Sequence, residues 1–301
     1  MDSMKVWATD RKGNALCLGE PREAELTYDR EAPADLLEAV FPGEAWPELV
    51  RVTVELSGRR VFWGLVDEQN LRVGPQGRET ELVCRSGEAL LLDSEAPPET
   101  LSRPSLEKLE RLVLQGLGLS RVVGDWSQKQ GQLTVEKGMS CWEAVEDFCR
   151  GWLGTVPYVD EAGALRCDGL PSFSVDLGTA SWGELSFKPC KELSEVWQQS
   201  FRGTYDTPYR REGAAVQRRR YCSSQSGEDP KETLAQGLRE SWQLTVECPG
   251  SFWPLRGAKA WVEVPGLGKF ANCPVREARW LWDRQGARTQ AVLERGDGPC
   301  G

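Results

Sequence analysis

Residue types that could perform chemistry are unevenly supplied in this sequence. Its 301 residues include 46 acidic and 37 basic side chains but no histidine. Histidine is the usual general base near neutral pH and the commonest metal ligand, so its absence excludes serine–histidine and cysteine–histidine catalysis and every histidine-containing metal site. Carboxylate, lysine, tyrosine or cysteine-only chemistry remains. Because the sequence also has no phosphate-binding glycine loop, dinucleotide-binding motif or nucleophile elbow, we predict that the protein is not an enzyme and carries no cofactor.

The ten cysteines are scattered, and no two have the C-x-x-C spacing from which cysteine-only zinc sites are built. Disulfide scaffolds are usually much shorter than 301 residues. Cys141 and Cys149 fall in one predicted helix, where their separation corresponds to about 12 Å, too far for a disulfide. We expect reduced thiols and no metal site.

The strongest local charge is a basic run at residues 209–221, which begins and ends with tyrosine. Its arginines are Arg210, Arg211, Arg218, Arg219 and Arg220. Three interpretations stay open: a solvent-exposed charged strand, a phosphate or single-stranded nucleic-acid site, or a contact with an acidic patch on a neighbouring copy. The net charge of −9 argues against a general nucleic-acid binder, because neutralising phosphates requires a basic face.

Tryptophan is frequent, with thirteen residues against eight phenylalanines and five tyrosines. Trp280 and Trp282 point to the same side if they lie on one strand. Tryptophan is favoured both in cores and at interface hot spots, so this pair is either part of the core or part of an interface. Together with the five arginines, these two residues are the candidate interface residues.

The charge changes sign along the chain. Residues 1–100 carry 11 basic and 20 acidic side chains, net −9; residues 101–200 carry 10 and 14, net −4; and residues 201–301 carry 16 and 12, net +4. This distribution favours attraction between the two ends of the chain or between copies of it.

Hydrophobic patterning predicts β-structure in the first hundred residues. Residues 50–56 alternate apolar and polar side chains, and Ser57-Gly58 supplies a turn. Residues 61–66 and 79–85 complete an antiparallel meander, with residues 70–77 as the connection.

The middle of the chain predicts a small mixed domain, because helical spacing replaces alternation after the Pro/Glu-rich segment 94–104. Ser105 can cap a helix that places Leu106, Leu109 and Val113 on one side. A short strand at 133–135, a helix opened by the capping box Ser140-x-x-Glu143 and a hairpin at 156–167 follow.

From about residue 171 the β character returns. Strands are predicted at 185–187, 196–205, 261–264, 275–282 and 289–293. One helix interrupts them, with Asp229 as its cap, Pro230 at its first position and Glu232 closing a capping box. The sequence thus predicts a mainly β, α+β fold with domains at 1–100, 101–170 and 171–301, of which the middle one is the small α/β domain. The composition shows no run approaching the roughly 18 apolar residues of a membrane helix and no secretory leader, so we expect a cytosolic protein without a membrane contact.

Residues 133–148, a strand, a glycine turn and a capped helix, resemble the opening of a LysM peptidoglycan-binding module. The hairpin predicted at 156–167 departs from LysM, which has a second helix and a closing strand there. A LysM-like peptidoglycan-binding or wall-degrading tail protein is therefore the alternative function. An ordinary cytosolic binding protein is a further alternative.

Four segments in their order resemble the tail baseplate hub family of phages, which includes late control protein D of contractile phages. They are residues 61–67 (VFWGLVD), 135–144 (VEKGMSCWEA), 159–165 (VDEAGAL), and 265–276 leading into 282–289 (WDRQGART). The resemblance covers nearly the whole chain. It implies that the first and last domains are tube-like β-barrels, so that a homotrimer forms a pseudo-sixfold ring joining the tail tube to the central spike.

The same resemblance implies the partners and the location. The tail tube protein, a separate central spike protein, the tape-measure protein and baseplate wedge proteins are expected as partners, with no membrane and no specific nucleic-acid binding. The location would be the virion tail baseplate of a phage or prophage-derived injection particle, assembled in the bacterial host cytoplasm. In such a ring, acidic first barrels would lie beside basic second barrels, which favours closure by alternation.

Overall fold

A computed structural model describes residues 3–43, 45–75, 77–200, 203–214, 216–223 and 229–296, except the side chain of Val113. The chain is mainly β, with 52% of residues in strands and 14% in helices, which confirms the predicted class. It divides into two compact units. As far as these ranges are described, unit 1 comprises Met1–Phe173, Pro249–Ala258 and Glu277–Thr289, and unit 2 comprises Ser174–Cys248, Lys259–Arg276 and Gln290–Gly301. The three predicted domains stay a prediction.

The sheet of unit 1 is antiparallel and is built mostly from the first part of the chain. Its strands are β1 Met4–Asp10, β2 Ala15–Gly19, β3 Glu23–Asp29, β4 Leu36–Pro42, β5 Leu49–Leu56, β6 Arg59–Gly74, β7 Gly77–Ser86 and the last part of β20 Gly268–Asp283. The order is β20-β3-β4-β7-β6-β5-β1-β2, and the sheet does not close. Val52, Val54 and Leu56 of β5 are buried, as the period of two predicts.

Of two connections predicted in the meander, one is a turn in the structure and the other is not. Ser57 and Gly58 both have positive φ, 49° and 81°, as a two-residue hairpin turn requires. The connection predicted at 70–77 is wrong, because β6 continues to Gly74, which pairs with Gly77. The part of β6 beyond the predicted strand is stabilised by polar contacts with β7, such as that between Arg72 and Glu81 at 2.6 Å. A polar composition therefore concealed a strand.

The small α/β core of unit 1 surrounds one apolar cluster that includes Leu106, Leu133, Val145 and Phe148. Its elements are α1 Ala89–Leu92, β8 Glu99–Ser102, α2 Leu106–Leu109 with the π-helical turn Glu110–Leu114, β9 Arg121–Val123, β10 Gln132–Val135, α3 Cys141–Phe148 with the π-helical turn Cys149–Leu153, β11 Tyr158–Val159 and β12 Ala164–Arg166. β8 pairs with β10, and β12 lies between β11 and β9.

The predicted caps and hairpin of this core are confirmed. The Ser105 hydroxyl accepts a bond from the Lys108 amide, and Ser140 and Glu143 form both bonds of the capping box. β11 and β12 form the predicted hairpin. β8 was missed within the Pro/Glu-rich segment, because its pairing with β10 is distant in sequence and leaves no local pattern.

Unit 2 contains a further set of antiparallel strands and a small three-stranded sheet. Its elements are β13 Phe173–Thr179, β14 Trp182–Phe187, the 3₁₀ turn Pro189–Lys191, β15 Glu195–Gln199, β16 Tyr205–Arg210, β17 Arg219–Cys222, α4 Pro230–Glu240, β18 Trp242–Pro249, β19 Ala258–Val264, the first part of β20, and β21 Gly286–Glu294, which continues from unit 1. The strand order is β13-β19-β20-β21-β18-β14, without closure, and the small sheet has the order β16-β15-β17.

Two of the predictions for unit 2 are wrong, and its strands β13, β17 and β18 were not predicted. Residues 196–205 are not one strand, because β15 ends at Gln199 and the Ser200 amide bonds to the Thr204 carbonyl before β16 begins. Asp229 caps α4 through the Lys231 amide, as expected for an aspartate before a helix, but Glu232 pairs with Arg239 instead of closing a capping box. Among the described residues, every helix falls short of the length and apolarity that a membrane crossing needs.

Candidate interaction surfaces

The five arginines of the basic run lie on or beside the edge strands of the small sheet in unit 2. Arg210 ends β16, Arg219 begins β17, and both are directly opposite Glu195 of the central strand β15. The Glu195 side chain is only 8% exposed, whereas those of Arg210 and Arg219 are 67% and 56% exposed. One buried carboxylate therefore lies between two exposed guanidinium groups.

Glu195 neutralises much of this local charge. Its Oε1 atom is 2.5 Å from Nε of Arg219, and its Oε2 atom is 3.4 Å from Nε of Arg210. The hydrogen bond from Arg219 is the main cause that lowers the pKa of Glu195 below the ordinary value of 4.5. The carboxylate stays ionised at neutral pH and disfavours an incoming phosphate at this position.

The neighbouring arginines of the run are also held by the chain. Arg211 contacts Glu192 at 2.7 Å, and Nη1 of Arg218 donates to the Pro189 carbonyl at 2.6 Å. Arg220 is opposite Val196 and therefore lies on the other face of the sheet from Arg219. The run is thus a set of individually anchored arginines spread over both faces of the sheet. That arrangement fits a protein contact or a solvated surface better than a nucleic-acid groove.

One face of the small sheet carries aromatic side chains beside the guanidinium groups. The inner face of this sheet contains Val196, which is fully buried, and Cys222, which approaches Thr233 of α4. The residues that alternate with these along each strand point to the outer face, away from α4. Tyr205 and Tyr221 lie on the outer face, 40% and 51% exposed, with ring centroids 5.1 Å apart in an edge-to-face pair. The composition of the basic run identifies the arginines but not Tyr205 or Glu195, because only the cross-strand register brings these residues together.

We call this outer face the arginine–tyrosine face; it consists of Arg210, Arg219, Tyr205, Tyr221 and the half-buried Trp197. Arginine, tyrosine and tryptophan are the residue types that dominate binding hot spots.

The two candidate tryptophans lie in unit 1 and differ in exposure. Trp280 is fully buried and its Nε1 atom donates to the Ser251 hydroxyl at 2.8 Å. Trp282 is half-buried and stacks on Trp280, with centroids 5.9 Å apart and an interplanar angle of 21°. The two side chains share one side of β20, as the period of two predicts. The burial of Trp280 favours its core interpretation.

Residues of the acidic first third of the sequence, together with residues from 281 to 288, line a groove of about 480 Å³ on the sheet of unit 1. Its carboxylates are Glu23, Glu25, Glu38, Glu81 and Asp283, and its basic side chains are Arg284 and Arg288. Glu25 and Glu38 are directly opposite on neighbouring strands, an arrangement in which like charges repel. An acidic surface of the kind required by the subunit-contact hypothesis is therefore present, although it carries some basic side chains of its own.

Chemistry-bearing clusters are sparse in the described part of the chain. Its cysteines, nine in number, are free thiols, and Cys300 lies outside it. Within the same residues, no group of three or more cysteine, aspartate or glutamate side chains is arranged to hold a metal ion.

The fold is shared with tail proteins of known structure. A tail protein from Neisseria meningitidis superposes with a TM-score of 0.76 at 18% identity, covering 98% of this chain and 96% of that one. The 43 kDa tail protein of prophage MuSo2 from Shewanella oneidensis gives a TM-score of 0.77 at 14% identity, with 97% and 98% coverage. The E. coli c3393 protein, a type VI secretion component described as similar to the T4 tail proteins gp27 and gp5, gives 0.55 at 9% identity, with 99% and 78% coverage.

No protein-family model matches the sequence, and no curated protein matches it. The likeness is therefore one of fold, and it extends over nearly the whole chain. At that level, the resemblance to phage tail hub proteins predicted from four sequence segments is confirmed.

Proposed function

We propose that this protein is a structural tail protein and, more specifically, the baseplate hub of a phage or prophage-derived particle. Three copies would form a pseudo-sixfold ring that joins the tail tube to a separate central spike. The observation that carries the proposal is a fold shared, from end to end, with two tail proteins at TM-scores of 0.76 and 0.77. A non-enzymatic role fits a histidine-free chain.

The division into two β-rich units supports the pseudo-sixfold arrangement. Each unit contains its own set of antiparallel strands, and each would occupy one barrel position of the ring. Three chains with two such units would supply six positions to a sixfold tube while keeping threefold symmetry toward the spike. Closed rings of identical chains require interfaces that join one surface to a different surface of the next copy.

The arginine–tyrosine face supplies a candidate for one of those surfaces. It combines exposed tyrosine rings with guanidinium groups, as hot spots do, and the acidic groove of unit 1 carries the opposite charge. Because Glu195 neutralises part of the charge, the arginine–tyrosine face would contribute to subunit binding mainly through burial of its rings and directional hydrogen bonds. Trp282, being half-buried, is a further candidate contact.

Sedimentation equilibrium of the purified chain, alone and with the spike protein of the same particle, tests the proposal. The chain mass is 33.6 kDa, so a trimer would have three times that mass, about 101 kDa. A monomer under both conditions would contradict the hub proposal. Binding to purified peptidoglycan, without trimer formation, would favour the LysM-like alternative.

A pair of variants tests the proposed contact surface separately. Replacing both Tyr205 and Tyr221 with serine should convert the trimer to monomers. Trp126→Ser, which changes a 43% exposed aromatic residue in unit 1, is the matched control and should leave the trimer intact. If the double variant stays trimeric, the arginine–tyrosine face is not a subunit contact. That result would leave the hub proposal standing, because the hub proposal is tested by the mass of the unaltered chain.

The partners would be the tail tube protein, the spike, the tape-measure protein and baseplate wedge proteins. The site of action would be the virion tail baseplate, after assembly in the host cytoplasm.

A further inference from the structure

Unit 1 contains a buried ionic cluster that none of the surfaces above uses. Nη2 of Arg256 is 2.6 Å from Oδ1 of Asp35 and 3.7 Å from Oε1 of Glu88. The exposed fractions of the three side chains are 13%, 15% and 0%. Two carboxylates thus share one guanidinium group where water has almost no access.

Glu88 also makes the bonds that connect the sheet to the small α/β core. Its Oε1 atom accepts the Val159 amide of β11 at 2.8 Å, and its Oε2 atom accepts the Ser86 hydroxyl at the end of β7 at 2.6 Å. The Ser86 hydroxyl oxygen in turn accepts the Asp35 amide at 2.8 Å. One carboxyl group therefore joins β7, the β11–β12 hairpin and the segment that carries Arg256.

The backbone next to Glu88 is closely packed against its neighbours. A Cβ atom on Gly87 would lie 2.4 Å from Cζ3 of Trp63 and 2.8 Å from Cγ1 of Val159. The Trp63 ring also lies 3.4 Å from the Cβ position of Gly163, in the turn of the same hairpin. A change in the Glu88 bonds would therefore be transmitted to the hairpin through close contacts.

Charge counting indicates that full ionisation of both carboxyl groups is unfavourable in this cluster. With both carboxyl groups ionised, the site would carry a net charge of −1 in a region that solvates charge poorly. Arg256 is closer to Asp35 than to Glu88, so Glu88 is the carboxyl that more readily takes the proton. The Ser86 hydroxyl now donates to the Oε2 atom of Glu88, and that bond would reverse on protonation, so that the carboxyl group donates to the hydroxyl oxygen.

The direction of the pKa shifts agrees with this count. Burial is the main cause that raises the pKa of Glu88 from 4.5 to about 7; the charge of Asp35 adds to it, and the bonds from Ser86 and Val159 and the charge of Arg256 oppose it. Burial also raises the pKa of Asp35, against the charge of Arg256. The two carboxyls titrate as a coupled pair. Burial would lower the pKa of Arg256, but the two carboxylates raise it overall.

Other titratable groups around the cluster come from β3, β11, the turn after β11 and the start of β6. The Arg256 guanidinium lies 4.9 Å from the ring centroid of Tyr28 and 5.4 Å from that of Tyr158. Burial raises the pKa of Tyr28 to about 12 and also raises that of Tyr158, so both rings stay neutral at physiological pH.

Charged groups further out act on these neighbours. Glu161, whose pKa burial raises, is influenced by Asp160, Arg256 and Arg59. Arg30 and Asp29 act on Tyr28 with opposite signs. None of these groups adds a second cation within contact of Glu88 among the described residues.

We propose that the Asp35–Arg256–Glu88 cluster is a proton-operated latch, which holds the β11–β12 hairpin of the small α/β core on the end of the sheet when it carries one proton and loosens when that proton leaves to solvent. A carboxyl whose pKa is higher in the folded state contributes its full stabilisation below the unfolded value and loses it as the pH rises through the folded value. The latch is therefore tight in mild acid and weakens through about pH 7. This device does not depend on the hub proposal.

Amide hydrogen exchange of the full chain tests the latch. The readout is the protection factor of the peptide containing Val159, corrected for the intrinsic pH dependence of exchange. With values of 4.5 in the open state and about 7 in the closed state, linkage predicts about a tenfold loss of protection between about pH 6 and about pH 8.5. Glu88→Gln stays neutral throughout this range, so its profile should be flat.

Two further variants keep the test decisive. Glu95→Gln is the matched control, because Glu95 also accepts a backbone amide at 2.9 Å, from Gly138, but at an exposed position; it should keep the profile of the unaltered chain. Asp35→Asn removes the nearer carboxylate, so Glu88 pairs with Arg256 alone and the midpoint should move to lower pH. A flat profile in the unaltered chain, an unchanged profile in Glu88→Gln, or an unmoved midpoint in Asp35→Asn would overturn the latch.

Discussion

Removal of Arg256 should be among the most damaging single changes in the molecule. Arg256→Met keeps much of the apolar stem but leaves the carboxylates of Asp35 and Glu88 without their shared cation in a buried site. Breaking a buried ion pair from one side costs about 3–5 kcal/mol. We therefore expect a loss of about that size from the free energy of unfolding at about pH 8, above the value of about 7 to which burial raises the pKa of Glu88.

The cost should shrink in acid. With the guanidinium gone, the pKa values of both carboxyls should rise further, because burial is no longer opposed by a positive charge. At about pH 5 both groups would take up protons, and the unpaired charge would disappear. Adding Asp35→Asn to Arg256→Met should recover part of the loss at about pH 8 for the same reason.

Urea denaturation at 25 °C, followed by tryptophan fluorescence at both pH values, measures these differences, provided that the m-value is unchanged. Arg279→Met is the control, since that side chain is 50% exposed and pairs with Glu277 at 3.1 Å; it should cost about 0–1 kcal/mol. Equal losses for the two variants, or a loss for Arg256→Met that does not depend on pH, would show that Arg256 does not compensate buried carboxylates.

Three smaller predictions follow from the packing and the ion pairs, each measured as a difference in unfolding free energy or melting temperature. Gly87→Ala should destabilise by about 1–3 kcal/mol, because its Cβ would overlap the ring packed against it, whereas Gly74→Ala, with open space at its Cβ position, should change little; equal effects would contradict the packing argument. Trp280→Ala should cost about 3–5 kcal/mol and Trp182→Ala, at a 52% exposed position, much less, so the reverse order would disprove the core assignment of Trp280. Glu195→Gln should lower the melting temperature at neutral pH. The pKa of Glu195 is lowered in the folded state, so the stabilisation that it provides is present above pH 4.5 and is lost as the pH falls through the folded value. A difference in melting temperature between the two chains that persists in strong acid would argue against the ion pairs.

Features that depend on a few neighbouring residues could be predicted from the sequence. The capping box at Ser140, the turn at Ser57-Gly58 and the alternation in β5 each follow from the chemistry of residues within one or two turns of chain. The mainly β class followed from the same kind of pattern. Such signals are local, and their energy does not depend on the rest of the fold.

Features that depend on register could not be predicted. Glu195 meets Arg210 and Arg219 only because β15 pairs antiparallel with one neighbour and parallel with the other. β8 was hidden in a Pro/Glu-rich segment, because its partner β10 lies far along the chain. The basic run could be identified by its composition, but its neutralisation and its distribution over two faces required the sheet.

The buried cluster illustrates the same limit more strongly. Arg256 and Asp35 are 221 residues apart in sequence, and nothing in their local surroundings distinguishes them from surface charges. A mainly polar sequence with many carboxylates gives no indication of which of them becomes buried. Only their burial in the folded chain turns ordinary residues into a site with a shifted pKa.

We have proposed that three copies of this chain form a ring with a separate spike. Electron cryo-microscopy of the chain assembled with its spike protein tests this claim most directly. We expect a threefold ring of three chains in which six β-rich units surround one axis. A single chain bound to the spike, or an assembly without threefold symmetry, would contradict it.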